Sequence, residues 1–212
     1  MKRLIAVALA AVLPALALAE TSTWTIDPNH TDSTFAVKHL VISTVRGHFG
    51  KTTGALKLDE KDITKSSVEA TVDVTTIDTR VEKRDAHLKS ADFFEVEKYP
   101  TMTFKSTKVQ KSGDGKLKVT GDLTMKATTK PVTFDVTYTK PITDPGGNTR
   151  RGFSAKTRVN RKEFGLQYSK AVEAGPVVGD QVEVQIDAEA TKEKAKEQAK
   201  AAAAEAKEAQ AK

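Results

Sequence analysis

Four histidines, His30, His39, His48 and His87, are the side chains of this sequence best suited to acid–base or metal chemistry. None belongs to an HExxH motif, and no two of them are four residues apart. The nine-residue intervals between the first three would bring imidazoles together only across a hairpin. The 212 residues include no Cys, which excludes thiolate metal sites, Cys nucleophiles and disulfides. We therefore expect no metal site, no cofactor and no catalytic residue.

Charge and reaction motifs also limit the function. The sequence has no GxSxG elbow, P-loop or GxGxxG motif, so nothing in it specifies a reaction. Residues 20–190 hold 26 basic and 24 acidic side chains, so the overall charge of +6 comes mainly from the two ends of the chain. The central part therefore has no excess of positive charge for a nucleic-acid partner.

Residues 1–19 have the three parts of a secretory signal peptide. Two basic residues precede an apolar run from Leu4 to Leu13, and Ala17 and Ala19 supply the small residues of a cleavage site. The run is shorter than the helix of about 20 residues that crosses a bilayer. We expect cleavage after Ala19, export to the periplasm and no integral membrane insertion.

Residues 191–212 differ in composition from the rest of the chain. They contain nine Ala, six Lys and four Glu. All three residue types favour helices, and the segment has no apolar stripe wider than Ala that could dock on a core. We therefore expect a solvated helical tail after a single domain of residues 20–190, and we assign the tail no function.

The central domain has the period-two hydropathy of strands with one dry face and one wet face. In one example, Val132, Phe134, Val136 and Tyr138 alternate with polar residues. Similar runs occur at residues 35–39, 68–74, 102–106, 117–119, 123–125, 153–159 and 182–188. About eight strands joined by short turns predict an antiparallel meander, and closing it into a barrel removes the exposed edges. We therefore predict an all-β, eight-stranded antiparallel barrel.

Two kinds of segment depart from the strand pattern. Between Phe49 and Leu56 the apolar positions change parity, and the glycines around this change predict a bulge or a sharp bend. Residues 81–94 are rich in helix formers. We predict one short helix there, inserted after the fourth or so strand, with Asp78 or Thr79 as its N-cap. A second helical turn is predicted at residues 161–164.

The inward face of the strands predicts a cavity. An eight-stranded barrel has a lumen just wide enough for packed side chains or one slender ligand. Small or polar inward positions such as Ala70, Ser106, Ala155 and Thr157 leave room that large side chains would close. His39 also has inward parity. It is either a core residue whose ring nitrogens are hydrogen-bonded to neighbouring strands or a polar contact near a ligand. The residues expected to line the lumen are Phe35, Val37, His39, Phe49, Val72, Val74, Phe94, Met102, Phe104, Leu123, Met125, Phe134, Val136, Tyr138, Phe153 and Phe164.

Seven blocks of sequence stand in a specific order and spacing, at residues 26–30, 47–49, 79–94, 99–106, 121–124, 129–132 and 161–165. The most specific reads TRVEKRDAHLKSADFF. Together the blocks resemble the YceI-like family of exported polyisoprenoid-binding proteins. The resemblance implies a lipocalin-like barrel that holds a polyprenyl phosphate or a quinone tail without catalysis, and a homodimer. The alternative is a stress-related or metal-dependent enzyme built on the same barrel.

The block at residues 79–94 contains two candidates for contact with a ligand head group, Arg84 and His87. A guanidinium group suits phosphate oxygens because its donors lie in one plane. The alternative is structural: Arg84 and Asp85 would tie the helix to the end of the barrel through hydrogen bonds. The residue types alone leave both interpretations open.

Overall fold

A computed structural model of the chain describes residues 21–173 and 175–194. The predicted signal peptide and most of the predicted helical tail lie outside these residues. Within the described ranges, no helix is both long enough and apolar enough to cross a membrane. The last strand runs two residues beyond the predicted end of the domain, since Thr191 and Lys192 pair with Thr25 and Trp24.

Period-two segments form the strands, and short helical turns connect some of them. The strands are β1 (Thr21–His39), β2 (Ser43–Phe49), β3 (Thr52–Asp59), β4 (Ser67–Asp73), β5 (Ile77–Asp78), β6 (Thr101–Gly113), β7 (Lys116–Met125), β8 (Thr128–Tyr138), β9 (Ile142–Thr143), β10 (Thr149–Asn160), β11 (Ala171–Val172), β12 (Gly175–Pro176) and β13 (Val178–Lys192). Helix α1 (Glu82–Lys89) lies between β5 and β6. The 3-10 helices are Ile63–Lys65, Val74–Thr76 and Arg161–Phe164.

The sheet closes on itself. Its order is β13-β10-β8-β7-β6-β4-β3-β1, and β1 also pairs with β13 in antiparallel register. Strands β2 and β3 both pair with β1, so together they form one kinked strand of the wall. Strand β4 pairs with β3 and β5 pairs with β2, so β4 and β5 together form the next strand of the wall. The prediction of an eight-stranded antiparallel barrel with one short helix is therefore confirmed.

The predicted bend lies between β2 and β3. Phe49 ends β2 and Thr52 begins β3, so the inward parity changes across two residues. Gly54 has a φ of 154°, and a Cβ there would lie 2.2 Å from the carbonyl oxygen of Glu69 on β4. Only glycine permits this close approach of the two backbones. The bend thus carries the wall round the corner of the barrel.

Helix α1 is shorter than predicted, and its N-cap is Val81 without a side-chain hydrogen bond. The prediction of Asp78 or Thr79 as N-cap was wrong. Thr79 instead donates from its backbone N–H and from Oγ1 to Oδ1 of Asp85, at 2.9 and 2.5 Å. A carboxylate of the helix's own first turn, rather than a preceding cap, therefore fastens the helix to the residue that follows β5.

Buried side chains form clusters at the two ends of the barrel. The end beside α1, called the helix end here, holds Phe49, Val74, Phe93 and Phe164 among others. The opposite end, called the Trp24 end, holds Trp24 with neighbours from β1, β3 and β13. A third, smaller cluster includes Val109, Leu117 and Val119 of β6 and β7. The space between these clusters is the interior of the barrel.

Candidate ligand cavity

The barrel encloses an apolar cavity of about 270 Å³ whose wall includes residues of all eight strands. Along β13 the wall runs from Val178 at the helix end to Ala190 at the Trp24 end. At about 3.4 Å per residue and a tilt of about 40°, this run corresponds to roughly 30 Å along the barrel axis. The cavity is therefore long and slender.

Several polar groups in the cavity wall are hydrogen-bonded to other groups of the protein. The hydroxyls of Ser33 and Thr52 are both buried and lie 2.8 Å apart. Thr157 Oγ1 donates to the carbonyl oxygen of Thr133 at 2.8 Å, and Thr34 Oγ1 donates to that of Gln185 at 3.1 Å. Because these groups satisfy one another or the backbone, the surface they leave toward the lumen is hydrocarbon.

Twelve of the sixteen residues expected to line the lumen do so. They share the inward parity of regular strands or follow α1, and they are Phe35, Val37, Phe49, Val72, Phe94, Met102, Phe104, Leu123, Met125, Phe134, Val136 and Phe153. Aromatic contacts order several of them. Phe49 lies 5.5 Å from Phe35 and 5.9 Å from Phe94 between ring centroids. These rings gather at the helix end.

The other four expected lining residues lie elsewhere. His39 pairs with Ser43 and Val178 at the end of β1, beside the β1–β2 hairpin. Tyr138 is the last residue of β8. Val74 and Phe164 belong to 3-10 helices, where alternation no longer applies, and their side chains are 1% and 2% exposed in the core. Strand alternation therefore did not predict the lining of the cavity correctly at strand ends and in 3-10 helices.

Sequence reasoning also omitted residues that line the cavity. Val182, Val184 and Ile186 of β13 and Leu56 and Leu58 of β3 all contribute to the wall. Their period-two alternation was the signal that could have identified them. Leu88 of α1 lines the cavity as well, but its isolated position in a polar helix gave no such signal.

The two head-group candidates do not line the cavity. Arg84 donates from Nε to Thr79 Oγ1 at 2.7 Å and from Nη2 to the Thr79 carbonyl oxygen at 2.8 Å. His87 Nε2 lies 2.7 Å from Oδ2 of Asp92, and its ring meets that of Tyr168 edge to face. These contacts support the structural interpretation, in which Arg84 and Asp85 tie α1 to the end of the barrel.

One charged residue, Arg161, does reach the cavity wall. It is 4% exposed and donates to the carbonyl oxygens of Gly179, Leu166 and Val178 and to Oδ1 of Asp180, at 2.6 to 3.2 Å. Burial lowers the pKa of its guanidinium, and Asp180 opposes that change. The residue therefore joins the 3-10 helix to β13.

The histidines remain apart from one another. His30 Nδ1 lies 2.9 Å from Oδ2 of Asp27, and His48 stands opposite Thr34 and Asp78 in the sheet. In the part of the chain that the structure describes, no three His, Asp or Glu side chains gather in a metal-binding arrangement.

Comparison with known proteins gives a family match and sequence relatives. The family model of the YceI-like domain matches residues 24–190. A UPF0312 protein of Vibrio cholerae is 40% identical over 168 residues, which cover 78% of this chain and 89% of that relative.

Two solved structures share the fold. The crystal structure of BcnA from Burkholderia cenocepacia superposes with a TM-score of 0.67 at 22% identity, covering 77% of this chain and 98% of that one. A polyisoprenoid-binding domain from Saccharophagus degradans superposes with a TM-score of 0.58 at 10% identity, covering 80% and 98%. At these identities the likeness concerns the fold alone.

Proposed function

The chain belongs to the family of YceI-like domains, and from this premise we propose that it is a non-catalytic periplasmic carrier. It holds or sequesters a long isoprenoid lipid, a polyprenyl phosphate or a quinone tail, in the lumen of the barrel. The observation that carries the proposal is the slender apolar cavity, lined along roughly 30 Å of the barrel.

The chemistry of the wall supports a hydrocarbon ligand. Each 100 Å² of hydrocarbon surface removed from water contributes about 2.5 kcal/mol to binding. A long chain laid along the lumen gains this contribution over its whole length, whereas a compact ligand of equal volume would contact only one section of the wall. The polar wall groups Ser33, Thr52 and Arg161 have protein partners, which supports binding rather than turnover.

The isoprenoid class comes from the family resemblance and from the polyisoprenoid-binding domain of Saccharophagus degradans, which shares the fold. The periplasmic location rests on the signal-peptide pattern of residues 1–19. The homodimer implied by the resemblance belongs to the same proposal. Light scattering of the protein in solution tests it.

Mass spectrometry of organic extracts tests the function. The protein is produced in a bacterium with its own leader, purified without detergent and extracted with organic solvent. The expected result is an isoprenoid lipid in near-stoichiometric amount, together with uptake of polyprenyl alcohols by lipid-free protein. Recovery of no lipid, combined with no uptake of any added polyprenyl compound, would overturn the proposal.

A further inference from the structure

Arg151 is a buried cation with no carboxylate partner among the residues of 21–173 and 175–194. Its side chain is 9% exposed, and its Nε–H donates to no acceptor among the residues that the structure describes. Its guanidinium carbon instead lies 5.5 Å from the centre of the Trp24 ring and 5.7 Å from that of Tyr138. Aromatic faces attract a cation, but they do not accept its in-plane N–H groups.

The position of Arg151 places it at the Trp24 end of the cavity. Arg151 has the inward parity of Phe153 on β10, and Phe153 lines the cavity. In the sheet, Arg151 stands opposite Ala190 of β13, and Ala190 stands opposite Ile26 of β1. Ala190 and Ile26 both line the cavity. Arg151 itself does not line the cavity; it lies next to the lining residues Phe153, Ala190 and Ile26, one step further toward the Trp24 end.

The aromatic support of Arg151 is held in place. Trp24 Nε1 donates to Ser22 Oγ at 2.8 Å, and Ser22 Oγ donates to Oε1 of Glu60 at 2.8 Å. These bonds fix the plane of the indole. Lys192 Nζ lies 5.8 Å from the same ring, so a second cation stands at this end.

Arg150, the residue before Arg151, has a guanidinium that is paired with carboxylates. Arg150 contacts Asp27, Asp144 and Glu189, with N–O distances of 2.7 to 3.3 Å. Arg150 has the outward parity of β10, whereas Arg151 faces inward, away from those carboxylates. A buried guanidinium N–H that lacks an acceptor, such as the Nε–H of Arg151, is unfavourable. The planar bidentate oxygens of an anion are acceptors that suit it.

We propose that Arg151, supported by Trp24 and Tyr138, binds the negatively charged head group of the lipid in the lumen, a phosphate or a carboxylate. This inference rests on the proposed function and extends it. An anionic isoprenoid is then a better ligand than a neutral one with the same tail, because only the anion supplies the counter-ion.

Fluorescence titration tests the inference directly, because Trp24 is the only tryptophan of the chain. Geranylgeranyl phosphate, geranylgeranoic acid and geranylgeraniol share one tail and differ in the head group. The lipid-free protein is expected to bind at least one anion about tenfold more tightly than the alcohol, with a change in Trp24 emission. Whether the phosphate or the acid binds more tightly identifies the head group.

Two variants make the test specific. Arg151→Met is expected to bring the three dissociation constants within about threefold of one another, because the charge-assisted hydrogen bonds are lost. Arg158→Met is the matched control: Arg158 lies on the same strand, is exposed and pairs with Glu183 at 2.7 Å. The control is expected to keep the preference for the anion.

Several outcomes would overturn the inference. Equal affinity of the unmodified protein for all three compounds would overturn the inference while leaving the carrier proposal intact. Failure to bind any of them would contradict the carrier proposal itself.

If Arg151→Met does not fold, the comparison of Arg151→Lys with the unmodified protein tests the inference instead. Loss of the preference in Arg151→Met and its retention in Arg151→Lys would agree with the inference, as would an emission change caused by the anions alone. An identical emission change with the alcohol would refute it.

Discussion

The rings of Phe104 and Phe134 meet edge to face inside the barrel, with their centroids 5.1 Å apart and their planes at 78°. Phe104 lies on β6 and Phe134 on β8, and these strands are not neighbours because β7 lies between them. Both rings line the cavity. The contact therefore bridges one strand of the wall and joins the side chains of β6 and β8 within the lumen.

Truncating this pair is expected to show coupling. Phe104→Ala should lower the free energy of unfolding by about 2–3 kcal/mol, since a partly buried aromatic side chain is removed. The double-mutant cycle with Phe134→Ala should give a coupling energy of about 1 kcal/mol, the magnitude measured for edge-to-face pairs. Urea unfolding followed by circular dichroism measures both. A coupling of zero would mean that the two rings act independently.

Filling the lumen is expected to weaken ligand binding. Ala155 lines the cavity and lies between Val136 and Ile186 on the neighbouring strands. Ala155→Phe should weaken binding of a long polyprenyl alcohol at least about tenfold and lower stability by about 1–3 kcal/mol.

The matched control for this prediction is Ala36→Phe. Ala36 lies on β1 with outward parity and lines a groove on the outer surface of the barrel. The added ring therefore stays outside the lumen, and uptake should be unchanged. Equal uptake by both variants, measured by fluorescence or by isothermal titration, would show that the ligand binds outside the barrel.

The carboxyls around Arg150 predict a stability change in acid. Hydrogen bonds from Arg150 lower the pKa of Asp27 and of Asp144 from 3.8 to about 2, with His30 and the backbone N–H of Asn148 as the next contributions. Because these pKa values are lower in the folded state, the carboxylates stabilise the fold above about pH 4. That stabilisation is lost as the pH falls through about 2.

Arg150→Gln should raise both pKa values toward 3.8. The folded and unfolded states would then take up protons over the same range, and the decline of stability between pH 4 and pH 2 should become shallower. Urea midpoints measured at several pH values test this expectation. Arg158→Met, which removes an exposed ion pair with Glu183, should leave the slope unchanged. An identical slope in Arg150→Gln would mean that other carboxyls govern the acid transition.

Arg84→Met separates the structural interpretation of Arg84 from head-group binding. Loss of two hydrogen bonds to Thr79 should lower the free energy of unfolding by about 1–2 kcal/mol and speed amide exchange in α1. Affinities for geranylgeranyl phosphate and geranylgeraniol should change by equal factors. A selective loss of phosphate affinity would assign Arg84 to the head group after all.

The fold was predictable because each long strand repeats the same alternation many times, and a wrong register would expose the whole dry face. Phe104 and Phe134 were placed correctly for that reason. His39 and Tyr138 have the same parity but stand where their strands end, so parity alone could not show that the cavity stops before them. Val74 and Phe164 lie in 3-10 turns, which strand periodicity does not describe.

Arg151 shows a different limit of sequence reasoning. It lies two positions before Phe153 on β10, so its parity marked it as inward from the start. A hydropathy pattern nevertheless assigns arginine to the solvent-facing side of a strand. A single arginine at an inward position is therefore interpreted as the point where the strand ends. The two aromatic rings that make its burial tolerable come from β1 and β8, and no local pattern brings those residues together.

Closure of the barrel between β1 and β13 has a consequence for how the molecule forms. The first strand finds one of its two neighbours only in the last 15-residue strand, from Val178 to Lys192. One edge of β1 therefore stays unpaired during synthesis until nearly all other strands have been made. The contact that completes the wall joins residues separated by most of the chain. Such long-range closure makes folding slow and leaves the nascent chain exposed to strand-mediated aggregation.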